Sequence, residues 1–573
     1  MTSSPLPLEI WWLVCQELVR DAPPDFNSLF SCALVDRAMA KVALPPLYSV
    51  HHKALVNLDA SIAGQVRWAN LWRSLILSSI GKTAFPYALW IRKLQLGDLQ
   101  LTLQDIARNP AVREDLFKGD MAEFEMVSNV NMTRAVQRKL GRVPLAYDAI
   151  ALKVGDAITS FVKDAADRND KVVTLAKLES HRIPTDVLIT WTSRLSTLRS
   201  LTLREVDSLN ADVASAIRRD CPSFAKLRCL TGPGDNADGD MAAFLFGLAP
   251  QTLEHFEVIS YNNFGQQTFA ALAFHSKSLK NIMLASISQE AVPALSFLCE
   301  CTAIETLRLE YESRAIPYPW KDDHKESYLQ VAEWLRNSQG LTSLDIGALP
   351  DTPSLLAKVL PSKNLRLRSL RVHISEHTRQ DSEFYPSLSH QETLEELFIE
   401  DYEDSFGPSE ALVQAVSECR NLVALYAVNS QFTAFDLRQL CLTLPRLEIL
   451  QFDGEHQDST LDALMGFERL KYVTVNGTSS FSFDRLRSFI EGLSVKGSKP
   501  AESTSANGSA TISKGPHYGF SLIIASQIGF GSTKFTKAQE TSLQDLIKER
   551  VNGELSLTYI QDEDELHESD FSD

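Results

Sequence analysis

One pattern of apolar positions, L-x-x-L-x-L, returns along most of the chain. It reads LSTLRSLTL (195–203), FAKLRC (224–229), LEHFEV (253–258), LKNIML (279–284), IETLRL (304–309), LTSLDI (341–346), LRSLRV (367–372), LEELFI (394–399), LVALYA (422–427), LEILQF (447–452) and LKYVTV (470–475), with an outlying copy at IRKLQL (91–96). The last three positions alternate, which is the period of a β-strand with one face buried. Between copies lie stretches such as SYLQVAEWLRNS (327–338) and SEALVQAVSECRN (409–421), whose apolar residues recur as on an amphipathic helix. Each unit therefore predicts a strand, a turn and a helix.

The length of the unit decides what such a series builds. Counted from Leu198 through Phe224, Leu253, Leu279, Ile304, Leu341, Leu367, Leu394, Leu422, Leu447 and Leu470, the copies lie 23 to 29 residues apart, with one gap of 37. That is the period of leucine-rich repeats, in which each unit buries its apolar face only by stacking on its neighbours. The expected fold is α/β: a leucine-rich-repeat solenoid of roughly eleven or twelve units, a horseshoe with a parallel concave sheet. Cys221, Cys301 and Cys419 each stand three residues before a first position, where a small apolar side chain fits the corner under the next strand.

Departures from the period mark the other segments. The long gap holds YESRAIPYPWKDDHKE (311–326), a surface loop by composition, and the repeats proper span 191–495. Residues 51–190 fit the repeat poorly and read as a helical linker with degenerate early repeats, DAIALKVGDAITSFVKDAAD (148–167) being its clearest helix. The Ser-, Gly- and Thr-rich stretch at 496–516 predicts a flexible loop. YGFSLIIAS (518–526) predicts a strand and KAQETSLQDLIKERV (537–551) a helix, together a C-terminal cap over 517–561, and 562–573 is an acidic tail expected to be disordered.

Stacking buries the leucines and turns the intervening residues to the free face of the sheet. One column of these reads Arg308, Asp345, Arg371, Phe398, Tyr426, Gln451 and Thr474, and a second, two positions on, reads Glu310, Gly347, His373, Glu400, Val428, Asp453 and Asn476. Phe398 and Tyr426 then fall on adjacent strands about 5 Å apart. Aromatics beside an arginine are the residue types enriched at binding hot spots. Arg308, Arg371, His373, Phe398, Glu400 and Tyr426 are accordingly the candidate substrate-binding residues.

At the start of the chain, PLPLEIWWLVCQELVR is too short to cross a membrane yet heavily apolar. On a helix beginning near Pro7, which suits the first helical position, Glu9, Gln16 and Arg20 fall within about 40° of one another and apolar residues cover most of the rest. Such a helix has apolar surface for its own fold and for something further. DFNSLFSCALVDRAMAKVALPPLYSV (25–50) adds two short helices, so residues 1–50 form a small three-helix module.

In Leu6-Pro7-x-Glu9-Ile10, in Leu29, Leu34-Val35 and Arg37, and in the closing Pro46-Leu47-Tyr48, this module resembles an F-box. With the repeats behind it, the chain resembles the F-box proteins with leucine-rich repeats, in particular fungal members. Two positions depart from the family pattern: Asp36 stands where cysteine is usual, and Met39 where many members carry tryptophan. The resemblance implies that Leu6, Pro7, Glu9, Ile10, Val14, Leu34 and Val35 dock a Skp-type adaptor, and through it a cullin ubiquitin ligase. The repeats would hold an unknown protein substrate.

Composition narrows the choice. Hydrophobic residues at 44% and charged residues at 23% are ordinary for a globular chain, and the net charge of -17 argues against a nucleic-acid partner. No stretch reaches the ~20 apolar residues of a membrane span, and no basic residue precedes the first apolar run, so neither membrane nor export is expected. Eight cysteines without a CxxC pair indicate neither a disulfide framework nor structural zinc, which points to a reducing compartment, cytoplasmic and/or nuclear.

Candidate chemistry fails on spacing. IGKTAF (80–85) ends like a P-loop, but Ile76 stands where glycine is needed. HISEH (373–377) has the letters of a zinc motif, yet His373 follows a strand pattern, where i and i+4 do not share a ligand as they do on a helix. The His51-His52 pair reads as a solvated turn. No enzyme, cofactor or metal is expected. The reading is a substrate-recognition subunit of a Skp–cullin–F-box ligase, and the alternative is a repeat scaffold that binds a protein or small ligand without recruiting a ligase.

Overall fold

The computed structural model describes residues 6–20, 24–53, 61–128, 144–170, 172–232, 234–312, 318–374, 383–401, 410–493, 516–527 and 534–560. The loop expected at 496–516, apart from Pro516, and the acidic tail lie outside the described residues. The chain divides into two compact units, Met1–Asn281 and Ile282–Asp573.

The first unit opens with three helices, α1 (Leu8–Arg20), α2 (Phe26–Ala33) and α3 (Arg37–Ser49). Short polar residues start the second and third: the Asp25 side chain accepts the Ser28 N–H at 2.9 Å, and the Asp36 side chain accepts the Met39 N–H at 2.7 Å, each satisfying an otherwise orphaned helix donor. Both departures from the F-box pattern thus have structural work, since Asp36 caps α3 and Met39 is buried behind it. At the end of α3, Tyr48 stacks on Tyr87 with ring centroids 4.7 Å apart, and its hydroxyl shares a 2.8 Å hydrogen bond with Ser74 of α4 (Ile62–Ser79). Burial pushes this phenol up to about 12. The His51-His52 pair, expected in a solvated turn, sits in a 3-10 turn after α3. There His51 is buried with its Nδ1 at 2.8 Å from the Tyr48 carbonyl oxygen, and burial takes His52 down to about 4.

Five parallel strands follow in chain order, β1 (Lys93–Gln95), β2 (Lys177–Ser180), β3 (Ser200–Glu205), β4 (Lys226–Thr231) and β5 (His255–Val258). The outlying IRKLQL is β1. β2 belongs to a further repeat, LAKLES, which departs from L-x-x-L-x-L because Ser180, paired with Leu203 of β3, takes the last apolar position.

The second unit carries β6 (Asn281–Ile287) from its second residue on, β7 (Thr306–Tyr311), β8 (Ser343–Gly347), β9 (Ser369–Ile374), β10 (Glu396–Asp401), β11 (Ala424–Gln431), β12 (Ile449–His456), β13 (Tyr472–Ser479), β14 (Ser521–Gln527) and β15 (Glu554–Ile560). Neighbouring strands pair in chain order, and from β7 to β15 the pairing is parallel. Leu344, Leu370, Leu397, Leu425 and Leu450 meet across this sheet fully buried, each contributing about 1.5–3 kcal/mol of transfer free energy. The strands of both units, with their helices, form an α/β leucine-rich-repeat fold, which the three-helix module precedes in the first unit.

Two expectations need correction here. Residues 311–326 are not simply a surface loop: Trp320 is fully buried, with its ring edge-on to Tyr328 at 5.4 Å, and the helix Lys325–Asn337 begins inside the range. The C-terminal segment does not close the stack as a separate cap. β14 and β15 continue the same parallel series, with Leu522 beside Val473 and Leu555 beside Leu522. Their repeats depart from L-x-x-L-x-L because Gly519 and Asn552, both left-handed (φ +79° and +52°), occupy the first apolar position.

Candidate protein-binding surfaces

The first surface is on α1. Trp11, Cys15, Leu18 and Val19 pack inward on Leu29, Cys32, Ala33, Val42, Ala43 and Leu47, forming the small core of the module. Ile10, Leu13 and Val14, at i, i+3 and i+4, cover the other side of the helix and are exposed, as are Leu6, Pro7 and Glu9 ahead of them. The two tryptophans part company, Trp11 being packed against the core and Trp12 about half exposed at 49%. In the turn between α2 and α3, Leu34 and Val35 are 70% and 69% exposed, because the cap at Asp36 follows at once and leaves the turn no core to enter. All seven residues named for this surface are therefore accessible. Leu13 was missed, although its spacing from Ile10 and Val14 marks it, and so was exposed Phe30 near the end of α2.

The second surface lies on the free face of the sheet in the second unit. Parallel register sets Arg308 beside Asp345, Asp345 beside Arg371, Arg371 beside Phe398 and Phe398 beside Tyr426, and on the second column His373 beside Glu400. The Phe398 and Tyr426 rings are both half-buried, their centroids 6.0 Å apart rather than the strand spacing of about 5 Å, because the rings tilt at 39° to each other. Arg371 lies over the Phe398 ring at 4.7 Å, a cation–π contact, and His373 flanks the same ring at 5.3 Å.

The charged groups around Phe398 are paired. Arg371 reaches Glu396 at 3.7 Å, Arg308 reaches Glu310 at 2.9 Å and Asp345 at 3.5 Å, and His373 Nδ1 is hydrogen-bonded to Glu400. Burial, and then Glu396, pushes the Tyr426 phenol up, and burial raises the Asp345 carboxyl against the pull of Arg308. Asp345, read from the sequence only as a column position, and Glu396, not read there at all, complete the patch, and their role depends on which arginine rotamer meets them. Arg308 lies three strands from Phe398 and joins it only through Asp345 and Arg371.

Cysteines at the repeat corners are packing groups. Cys221, Cys301 and Cys419 are buried, the Cys221 thiol donates to the Thr192 and Leu195 carbonyl oxygens of the preceding repeat, and burial raises them to about 12, about 12 and about 11. Among the described residues no group of three or more His, Cys, Asp or Glu side chains could hold a metal ion, and no described helix is long and apolar enough to cross a membrane.

No protein-family model matches the chain, and no curated protein sequence does. Among solved structures it is similar to an internalin (inlF) of Listeria monocytogenes at 12% identity, covering 61% of this chain and 88% of that one with a TM-score of 0.32. It is similar to a chain of the Rad7 and Elc1 complex in yeast at 14% identity, covering 81% and 98% with a TM-score of 0.40. It is also similar to a chain of a TLR13-ssRNA13 complex at 12% identity, covering 68% and 53% with a TM-score of 0.35.

Proposed function

We propose that this protein is a non-catalytic substrate receptor whose N-terminal module is an F-box. The module docks a Skp-type adaptor of a cullin ubiquitin ligase, and the free face of the repeat sheet holds a protein substrate. The observation that carries the reading is the division of α1. One apolar face is spent on the core of the module, while Leu6, Ile10, Leu13 and Val14, together with Leu34 and Val35, are left in water, where a chain gains nothing from them until a partner covers them.

Proximity is then the mechanism. A substrate seated on Arg371, Phe398 and Tyr426 is tethered near the ligase, and tethering raises the effective concentration of its lysines at the transfer site. The reaction itself belongs to the partners, and the setting would be cytoplasm or nucleus. Because the charges around Phe398 are already paired, the substrate is recognised there chiefly by apolar and aromatic contact.

Co-purification tests the reading. The full chain should bind a Skp-type adaptor, and Ile10→Glu should weaken that binding more than tenfold, about 1.4 kcal/mol, with an unchanged unfolding midpoint because the side chain is exposed. An adaptor that binds the variant as well as the wild type, or neither of them, would leave the repeats as a scaffold without a ligase.

A further inference from the structure

We infer that the edge of the sheet where β1 to β4 begin is a further binding surface, which takes an Asp- and Glu-rich segment of a protein partner. Four cations stand along it. Lys177 and Lys226 are the first residues of β2 and β4, and Arg92 and Arg199 lie one residue ahead of β1 and β3. The ladder fixes their neighbours: the Arg92 carbonyl oxygen accepts the N–H groups of Ala176 and Lys177 at 3.0 and 3.1 Å, and the Arg199 carbonyl oxygen those of Ala225 and Lys226 at 3.0 and 2.9 Å. The four therefore fall on successive strands, a span of only about 14 Å at ~4.8 Å per strand.

These cations are left unneutralised. All four are exposed, and among the described residues none of their side chains makes an ion pair or a hydrogen bond. Carboxylates of the same strands are engaged elsewhere: Glu179 holds Lys93 at 2.6 Å, and Glu257 holds Arg228 at 3.2 Å and His255 at 3.1 Å. Glu254, one residue ahead of β5, bounds the patch. The residues between the cations, Ala176, Ser200 and Ala225, are too small to cover them. Equivalent positions of the second unit are built differently. There Arg368 ahead of β9 pairs with Glu395 ahead of β10 at 3.6 Å, and Lys471 ahead of β13 pairs with Glu448 ahead of β12 at 2.7 Å. A chain of net charge -17 has carboxylates to spare for such pairing, yet leaves these four cations without it.

Like charges on neighbouring strands lie within the screening length of about 8 Å at physiological salt, so they repel and cost the fold stability. A partner's carboxylates turn that repulsion into attraction and steer its approach. About five extended residues span the row, so a short acidic run suffices. A nucleic-acid strand fits less well, because its bases need aromatic platforms and the residues between the cations are Ala176, Ser200 and Ala225. The surface lies on the repeats, so the inference does not depend on what α1 binds.

The test titrates the full chain into a fluorescein-labelled oligoglutamate of about eight residues, long enough to cover the row, and reads fluorescence anisotropy. Saturable binding that weakens as salt rises is expected. Lys177→Gln, Arg199→Gln and Lys226→Gln together should weaken it by at least tenfold with an unchanged urea midpoint, since all three side chains are exposed. Lys177→Arg with Lys226→Arg should keep the affinity, and Arg368→Gln should leave it unchanged because that cation already has its carboxylate. The inference is overturned if binding does not saturate, if the triple variant binds as well as the wild type, or if Arg368→Gln loses as much. Tighter binding of a labelled oligothymidylate through the same three residues would make the surface a nucleic-acid site instead. A gain of more than tenfold on deleting residues 562–573 would show that the chain's own acidic tail fills the surface, and would remove the partner.

Discussion

A Cβ on Gly553 would stand 2.2 Å from the Phe520 carbonyl oxygen, closer than any relaxed side chain sits to backbone. Gly553→Ala should therefore cost about 3 kcal/mol or more, as overpacking against backbone does. Gly81→Ala, at φ +72° with open space around it, should cost only the backbone strain of about 1–2 kcal/mol. Urea unfolding of the two variants separates the mechanisms, and equal losses would refute the distinction. Asp36 makes the opposite point. It looks like a defect in the F-box pattern, yet its side chain caps α3, and Asp36→Ala should lose about 1 kcal/mol. On the sheet, Arg371→Ala, Phe398→Ala and Tyr426→Ala together should weaken a bound substrate protein by at least tenfold while the strands stay paired, since the three side chains are only half-buried. Unchanged substrate affinity by titration calorimetry would remove this patch from the binding surface.

Among elements, those with a strict alternation were legible and those with one atypical residue were not. β7 to β13 carry apolar residues at both strand positions, whereas β2 ends its pattern in Ser180 and β15 begins its own with left-handed Asn552. The segment before the helix Lys325–Asn337 misled for a different reason. Its prolines and charges read as loop, and only the fold shows Trp320 driven into the core beside Tyr328. Trp320→Ala should cost about 3–5 kcal/mol, far above a loop substitution, as read from thermal or urea unfolding. β12 ends in His456, buried, with Nε2 donating to the Asn476 carbonyl oxygen at 3.1 Å. Burial takes it down to about 4, while the unfolded chain binds a proton near the ordinary value of about 6.5. The unfolded state thus takes up more protons between those values, so the contribution is complete above about 6.5 and is lost as pH falls toward about 4. The urea midpoint of the wild type should fall across that window more steeply than that of His456→Gln, and parallel profiles would refute the shift.

For the whole molecule, the repeat series runs further than its own consensus. Ending the chain at Leu493 would remove β14, β15 and the helix Lys537–Val551, baring the edge of β13 and the neighbours of Val473 and Val475. Such a truncation should aggregate and unfold at lower temperature, because a repeat stack needs a covered end. A monomer of unchanged stability by size-exclusion chromatography and thermal melting would contradict this. The sequence by itself determined the α/β repeat fold, the strands of the regular units and which residues share the free face, because a period of two and a unit length of 23 to 29 residues are local properties that any stretch of chain displays. Only the tertiary structure decided which side of α1 is covered, that Trp11 packs on the core while Trp12 stays half exposed, and that Arg371 lies over Phe398. Those outcomes depend on what residues distant in sequence bring to the same place, and no local pattern encodes that.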